Sequence, residues 1–360
     1  MAFSGRVWVL GLSLVLGGCG QESQVAQPAG DASTKIVLVT DWKAQAEHGG
    51  FYEAVAEGLY ARHGLSVVIR EGGPTVNVGQ LLAGGAADFG IASNSFIPLN
   101  LRRAGGAFKA VMAVFQKDPQ VLITHPRSDI TSMSDMAGKP IMISDAAVAT
   151  FWPWLKAKYG FSDSQIRKYT FNLAPFLVDK SAIQEGYLSS EPYAIEKEGG
   201  FKPQVYSLAD AGYPGYANLV LVPDSWIASK PAAVQAFVDA SIEGWMDYLY
   251  GDPRPGNDLI KKDNPEMTDD LIAQAIEKMR RYGIALSGDS AKEGIGAMSD
   301  RRWQDFFSVM SKQGIYPRDF NFRDAYTNQF VNKGHALDRQ SGVALVAAPQ
   351  VPASSGASVQ

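Results

Sequence analysis

Apolar and polar positions along this chain switch repeatedly between two periods. Lys35–Thr40 (KIVLVT) is a short β-branched run and reads as a buried strand. Phe51–His63 (FYEAVAEGLYARH) spaces its apolar residues as a helix does, and Gly64 stands where a helix ends. The alternation continues with a strand at Leu65–Arg70, a helix at Thr75–Ala83, a strand at Ala87–Ala92 and a helix at Phe96–Ala104. Lys109–Gln116 and Gln120–His125 are strands. A second series has a strand at Pro140–Ser144, a helix over Val148–Tyr159, a strand over Arg167–Asn172 and a helix around Asp179–Glu185. Pro203–Ser207 and Asn218–Pro223 are further strands, and from Lys230 the pattern is helical with breaks at Asp252–Gly256 and Asn264–Pro265. Strands alternating with helices imply parallel α/β sheets. Two such series predict two lobes joined near Val114–Leu122 and Tyr213–Val222, with residues 35–121 and 218–334 in lobe one and 122–217 in lobe two.

The ends change the picture. Arg6 precedes an apolar core of ten residues, Val7–Leu16, too short to span a bilayer as a helix. Residues 1–18 therefore read as a signal peptide. Leu16-Gly17-Gly18-Cys19 resembles the lipobox of bacterial lipoproteins, which implies cleavage before Cys19 and lipid on its sulfur and new amine. The alternative is an ordinary secretory signal followed by a chance cysteine. Cys19 is the only cysteine, so no intrachain disulfide can form, and lipidation accounts for a lone thiol in an oxidising compartment. Residues 19–34 read as a polar tether and 335–360 as a disordered tail. The expected location is the periplasm or cell surface, anchored through Cys19. The formal charge of −4 becomes −5 once residues 1–18, whose only charged side chain is Arg6, are removed. That mild acidity argues against nucleic acid as a partner.

Several blocks occur in an order that resembles a known family. Asp41-Trp42 follows the first strand, then His48-Gly49-Gly50-Phe51-Tyr52, Glu57-Gly58-Leu59-Tyr60 and Gly64-Leu65. These resemble the start of the thiamine-precursor-binding group of solute receptors, whose relatives include nitrate, sulfonate and taurine receptors and the fungal thiamine-pyrimidine synthase. Gly84–Ile91 and Ser190-Glu191-Pro192-Tyr193 resemble later blocks, so the likeness runs from about Lys35 to Tyr316. The resemblance implies a two-lobed α/β periplasmic-binding-protein fold of type II, with ligand in the inter-lobe cleft. It also implies a monomeric receptor that delivers a small molecule to the permease subunits of an ABC importer, and no enzymatic activity. In open α/β sheets ligands sit beyond the carboxyl ends of strands, and helix starts at Phe51, Phe96 and Val148 would aim free N–H groups there.

The candidate ligand-binding residues follow those strand ends. Trp42 offers a ring face for stacking on a flat ligand, or plugs the top edge of the lobe. His48 can hydrogen-bond ligand or brace its loop. Gly49 and Gly50 allow close backbone approach ahead of Phe51, or are turn residues. Ser93 and Asn94 suit a heterocycle edge, although Asn94 is equally an N-cap for the next helix. Phe115 and Gln116 lie near the first crossing, within reach of both lobes. Thr150 can donate to ligand, and Phe151 or Trp152 can form a second wall or belong to the core. Tyr187 and Glu191 follow a late strand of lobe two. The Glu191 carboxylate can accept from an exocyclic amine, or is solvated.

Segments 90–97, 145–154 and 184–193 contain no Lys or Arg, and 41–52 contains only Lys43. Aromatic residues without cations favour a neutral planar ligand, such as a thiamine-related pyrimidine, over a sulfonate, nitrate or other small anion. The four histidines, His48, His63, His125 and His335, lack metal-ligand spacing, and no P-loop or G-x-S-x-G elbow occurs. No metal, cofactor or catalytic residue is expected. A pyrimidine-forming enzyme is the alternative of another class. It rests on His48 alone, because the cysteine-rich motif of the fungal enzyme is absent.

Overall fold

The structure is a computed structural model that describes residues 33–340; the expected signal peptide, Cys19 and most of the expected tether, and residues 341–360 of the expected tail lie outside them. Ten strands form two five-stranded sheets. The first sheet holds β1 (Thr34–Val39), β2 (Leu65–Arg70), β3 (Phe89–Asn94), β4 (Phe108–Phe115) and β10 (Ala217–Pro223), in the order β2-β1-β3-β10-β4. The second holds β5 (Gln120–Thr124), β6 (Ile141–Ile143), β7 (Ile166–Lys168), β8 (Ile183–Tyr187) and β9 (Gln204–Ser207), in the order β7-β6-β8-β5-β9. β1 pairs in parallel with β2 and β3, and β6 with β7 and β8. One antiparallel strand interrupts each sheet: β10 in the first and β5 in the second. Each of these enters directly after the chain has crossed from the other sheet, so each lobe is completed by a strand that arrives through a crossing.

Arg302 ties the two crossings together. Its guanidinium donates to the Gln116 carbonyl and to Gln116 Oε1 (3.3 Å) on the first crossing. It also donates to the carbonyls of Gly215 (3.0 Å) and Pro214 (3.3 Å) on the second, and lies 4.1 Å over the Tyr216 ring.

The long helix Pro231–Tyr250 begins with proline in its first turn, where no N–H is needed, and buries Val234, Phe237, Val238, Trp245, Tyr248 and Leu249. It packs on the helix Gly49–Ala56 at a separation only glycine permits. A Cβ on Gly49 would come within 2.0 Å of the Tyr248 ring, and one on Gly50 within 2.2 Å of the Trp245 ring.

Three expected elements differ. The single helix over Phe51–His63 is two pieces, Gly49–Ala56 and Leu59–Arg62, because Gly58 adopts the left-handed conformation (φ 65°). The helix over Val148–Tyr159 is likewise divided, into Asp145–Val148 and Trp152–Tyr159. The helix expected around Asp179–Glu185 is instead the central strand β8, preceded by a short helix at Ala174–Val178. At the start of the expected tail, residues 335–340 carry a short helix, Leu337–Gln340, with His335 paired to Glu243 and Arg339 to Asp247.

Candidate ligand-binding cleft

The carboxyl ends of the parallel strands of both sheets lead into loops that meet. From the first sheet comes the segment after β1, Asp41–His48. From the second come Ser144 after β6, Tyr169–Phe171 after β7 and Tyr187–Glu191 after β8. The two sides touch at several points. The Trp42 and Phe171 rings are 4.3 Å apart, tilted by 57°. Ser189 Oγ donates to Glu47 Oε1, and Gln274 Nε2 donates to the Ser189 carbonyl. Farther out, Tyr193 and Lys197 both reach Asp270. Phe171 holds its ring in place with a backbone in the left-handed region (φ 61°), a conformation that costs energy for a residue with a Cβ. Tyr169 supports it from behind, with ring centroids 5.0 Å apart.

The carboxyl groups on these loops are buried together. Glu47 is raised above the ordinary glutamate range, chiefly by burial, with the Ser189 hydrogen bond opposing. Glu191 is pushed up to about 7, first by burial and further by the charge of Glu47. Its Oε2 accepts from the Tyr187 backbone N–H at 2.7 Å, and the Tyr169 hydroxyl is also a partner. Glu185, on β8, is pushed up to about 8 by burial, against hydrogen bonds from the Ser144 hydroxyl and backbone N–H. Tyr187 is raised well above its ordinary value by burial and then by the charges of Asp118, Asp41, Glu47 and Glu191. His48 donates or accepts at Asp41 Oδ1 (2.9 Å), while its Nδ1 has no partner among the described residues. This side of the cleft is therefore aromatic and acidic. The charged groups acting on its three glutamates are one another, Asp41 and His48.

The sequence-selected residues divide into two groups. Trp42, His48, Tyr187 and Glu191 lie on the meeting loops, and Ser93 is half-buried at the end of β3. The others serve the scaffold. Gly50 sits against Trp245, and Phe51 is fully buried between Phe237 and Trp245. Phe115 packs edge-on against Trp245. Gln116 is saturated by the Ala113 and Ala297 carbonyls, the Asp289 N–H and Arg302. Asn94 Oδ1 accepts from the Phe96 N–H, the capping alternative for that residue. Thr150 donates to carbonyls of its own turn, and Phe151 is 1% exposed. For these the physical reason is common: burial or prior hydrogen bonding leaves no free group to offer a ligand. The sequence reading missed Glu47, Glu185 and Phe171. Glu47 could have been noticed as the acid one residue before His48; Glu185 was hidden by the misread strand.

The double crossing and paired five-stranded sheets define the periplasmic-binding-protein fold. A solved structure of the alkanesulfonate-binding protein SsuA from Xanthomonas axonopodis pv. citri superposes with a TM-score of 0.60 at 14% identity, covering 82% of this chain and 98% of that one. The NMT1/THI5-like family model matches residues 45–255, and the chain belongs to that family. Among relatives, the riboflavin-binding protein RibY of Chloroflexus aurantiacus is 26% identical over 321 residues, 86% of this chain and 90% of that protein. The formylaminopyrimidine-binding protein of Halalkalibacterium halodurans is 20% identical, covering 83% and 91%. The 4-amino-5-hydroxymethyl-2-methylpyrimidine phosphate synthase of Uromyces fabae is 22% identical, covering 83% and 88%.

Proposed function

We propose that this protein is the solute-binding component of an ABC importer, that it captures a planar nitrogen heterocycle between its lobes, and that it does not transform it. The observation that carries the reading is the pairing of an aromatic wall, Trp42 and Phe171, with the buried glutamates Glu47, Glu185 and Glu191 in one cleft. A flat ring gains from stacking on aromatic faces, and its N–H groups gain from buried carboxyl oxygens. Small anions gain from neither. Relatives named for binding riboflavin and formylaminopyrimidine are consistent with this ligand class, and a thiamine-related pyrimidine is the narrower expectation. On this reading the receptor works in the periplasm or at the cell surface, held by lipid on Cys19, and hands ligand to permease subunits. Among the described residues no helix is long and apolar enough to cross a membrane.

A thermal-shift screen of the protein against riboflavin, 4-amino-5-hydroxymethyl-2-methylpyrimidine, an alkanesulfonate and nitrate tests the ligand class. A heterocycle at 100 times its Kd should stabilise the fold by about 2.7 kcal/mol. Stabilisation by the anions alone would overturn the reading. Mass spectrometry after long incubation should recover the ligand unchanged; steady product formation would favour the synthase-like alternative. Radiolabelled palmitate should enter the cell-expressed protein and not its Cys19→Ala variant.

A further inference from the structure

Glu185 was not among the residues the sequence singled out, and its setting differs from that of its acidic neighbours. Glu47 is engaged by Ser189, and Glu191 by the Tyr187 N–H and Tyr169. Glu185 is only 5% exposed, yet its Oε2 has no partner. Ser144 binds its carboxyl through hydroxyl and backbone N–H, which assigns those donors to the other oxygen, Oε1. Leaving a buried carboxyl oxygen unpaired is costly, and such atoms in native proteins call for an explanation. Ser144 itself is fixed, because its Oγ also caps the following helix by accepting from the Ala147 N–H at 3.2 Å. The oxygen therefore has a defined position at the carboxyl ends of β6 and β8, beside Glu191 and Tyr169.

We infer that Glu185 Oε2 meets the hydrogen-bonding edge of the bound heterocycle, and that the protonation of this carboxyl selects which kind of edge is accepted. The inference rests on the reading of the cleft as a heterocycle site. Because Ser144 donates twice to Oε1, a proton on Glu185 resides on Oε2. Oε2–H donates to a ring nitrogen or carbonyl. Once the proton has left for solvent, Oε2 accepts from an amino or ring N–H group. The groups that bear on this titration are Glu191 from the loop after β8, Tyr169 from the end of β7 and, through Glu191, Glu47 from the first lobe. Burial and the negative charge of Glu191 hold the proton on, to about pH 8. Below that pH the carboxyl is a donor, above it an acceptor.

The test is calorimetric titration of wild type and Glu185→Gln from pH 6 to pH 9, with two probes. The first, 4-amino-5-hydroxymethyl-2-methylpyrimidine, presents an amino donor; the second, 3-methylriboflavin, presents carbonyl acceptors, with a methyl group in place of the N3 proton that riboflavin would donate. In wild type the Kd of the amino probe should fall by about tenfold or more across this range, as expected when a hydrogen bond gains a charged partner. The Kd of 3-methylriboflavin should rise. In Glu185→Gln, whose amide does not titrate, each slope should flatten to the probe's own titration. Parallel profiles in wild type and variant would overturn the assignment of Glu185 while leaving the heterocycle reading intact. Failure of wild type to bind either probe at any pH would overturn both. If the variant is unstable, the wild-type protein alone decides. Titration at pH 7 in two buffers of different ionisation enthalpy should show proton release with the amino probe and none with 3-methylriboflavin. Equal proton counts for the two probes would defeat the inference.

Discussion

The two lobes share a strand order and differ in what they do with it. In the first, β1, β2 and β3 are six residues each and β4 is eight, and the helix Pro231–Tyr250 supports the lobe's packing through a glycine-permitted contact. In the second, β6 and β7 are three residues each, and the central strand β8 carries Gln184 and Glu185 buried side by side in sequence. The first lobe also buries polar groups, Glu47, Glu53 and Asp118 among them, but on loops and helices, while its strands bury them only near their ends. β8 places two in a central strand, where each must find a partner or be neutralised. The difference teaches that a shared topology positions the cleft, while the polar groups beside it come from loops of both lobes and from a strand of the second.

The largest expected effect tests the packing side of that contrast. Gly50→Ala would drive a methyl group into Trp245, and Gly244 already stands against the Gly50 carbonyl. Neither helix can retreat without losing the other's buried face. Overpacking of this kind costs about 1–3 kcal/mol and sometimes more, so Gly50→Ala should lie at the upper end. Ser162→Ala, in the second lobe, removes one half of an exposed capping box and should cost about 1 kcal/mol. Urea unfolding of both variants checks the ranking. A Gly50→Ala variant as stable as Ser162→Ala would break the contrast.

The next effect is on pH dependence and tests the buried carboxyls, which both lobes supply. Glu185 and Glu191 of the second lobe, at about 8 and about 7, and Glu53 and Asp118 of the first, at about 7 each, are all raised, first by burial. An unfolded chain loses these protons near the ordinary carboxyl values. Between those values and the raised ones, the folded state therefore holds more protons than the unfolded state. Stability is then fully present below the unfolded values and is lost as pH rises towards 8. Each proton of difference contributes about 1.4 kcal/mol per pH unit. The melting temperature should thus decline from about pH 5 to pH 8, and Glu185→Gln should flatten the decline and exceed wild type at pH 8. A melting temperature that rises over this interval would show that these carboxyls are paired as anions.

The same contrast explains what the sequence made legible. β1 and the strands around it were readable because β-branched runs such as KIVLVT fit a buried strand and little else. β8 was not. In IQEGY the polar residues at 184 and 185 break both the apolar run and the alternation, and the stretch was read as the end of a helix. The local pattern fails at the strand that carries an unpaired carboxyl, because buried polar side chains break the agreement between local pattern and fold. Position after strands is the reason for choosing Trp42, His48, Tyr187 and Glu191, and the structure places all four on the segments that meet. Phe51, Phe115 and Gln116 were selected by the same rule, but the rule says nothing of side-chain direction. Phe171 could not be found, because its role depends on a left-handed backbone that no residue pattern announces.

The smallest expected effect concerns the outer rim, where the lobes meet through Asp270. Its carboxylate is held well below the usual range, first by Lys197, then by Thr268 and Tyr193. Lys197 and Tyr193 lie on the helix Glu191–Gly199 of the second lobe and Asp270 on the helix Asp269–Arg281, so the contact bridges the two lobes. Both partners are exposed. Water competes for each charge, and two flexible side chains must be ordered to hold one geometry, so such pairs contribute little. Asp270→Asn keeps a hydrogen-bond acceptor for Tyr193 and removes the charge that attracts Lys197. It should weaken ligand binding by less than about fivefold at low salt, through the closed state alone. The difference should vanish near 1 M salt, where the Debye length falls to about 3 Å. Glu185→Gln should keep its effect there, because salt does not screen a buried group as it does an exposed one. Calorimetric titration of both variants at low and high salt makes the comparison. A loss for Asp270→Asn that is large and indifferent to salt would place part of the binding site at the rim, and the division between a polar interior and a solvated edge would have to be redrawn.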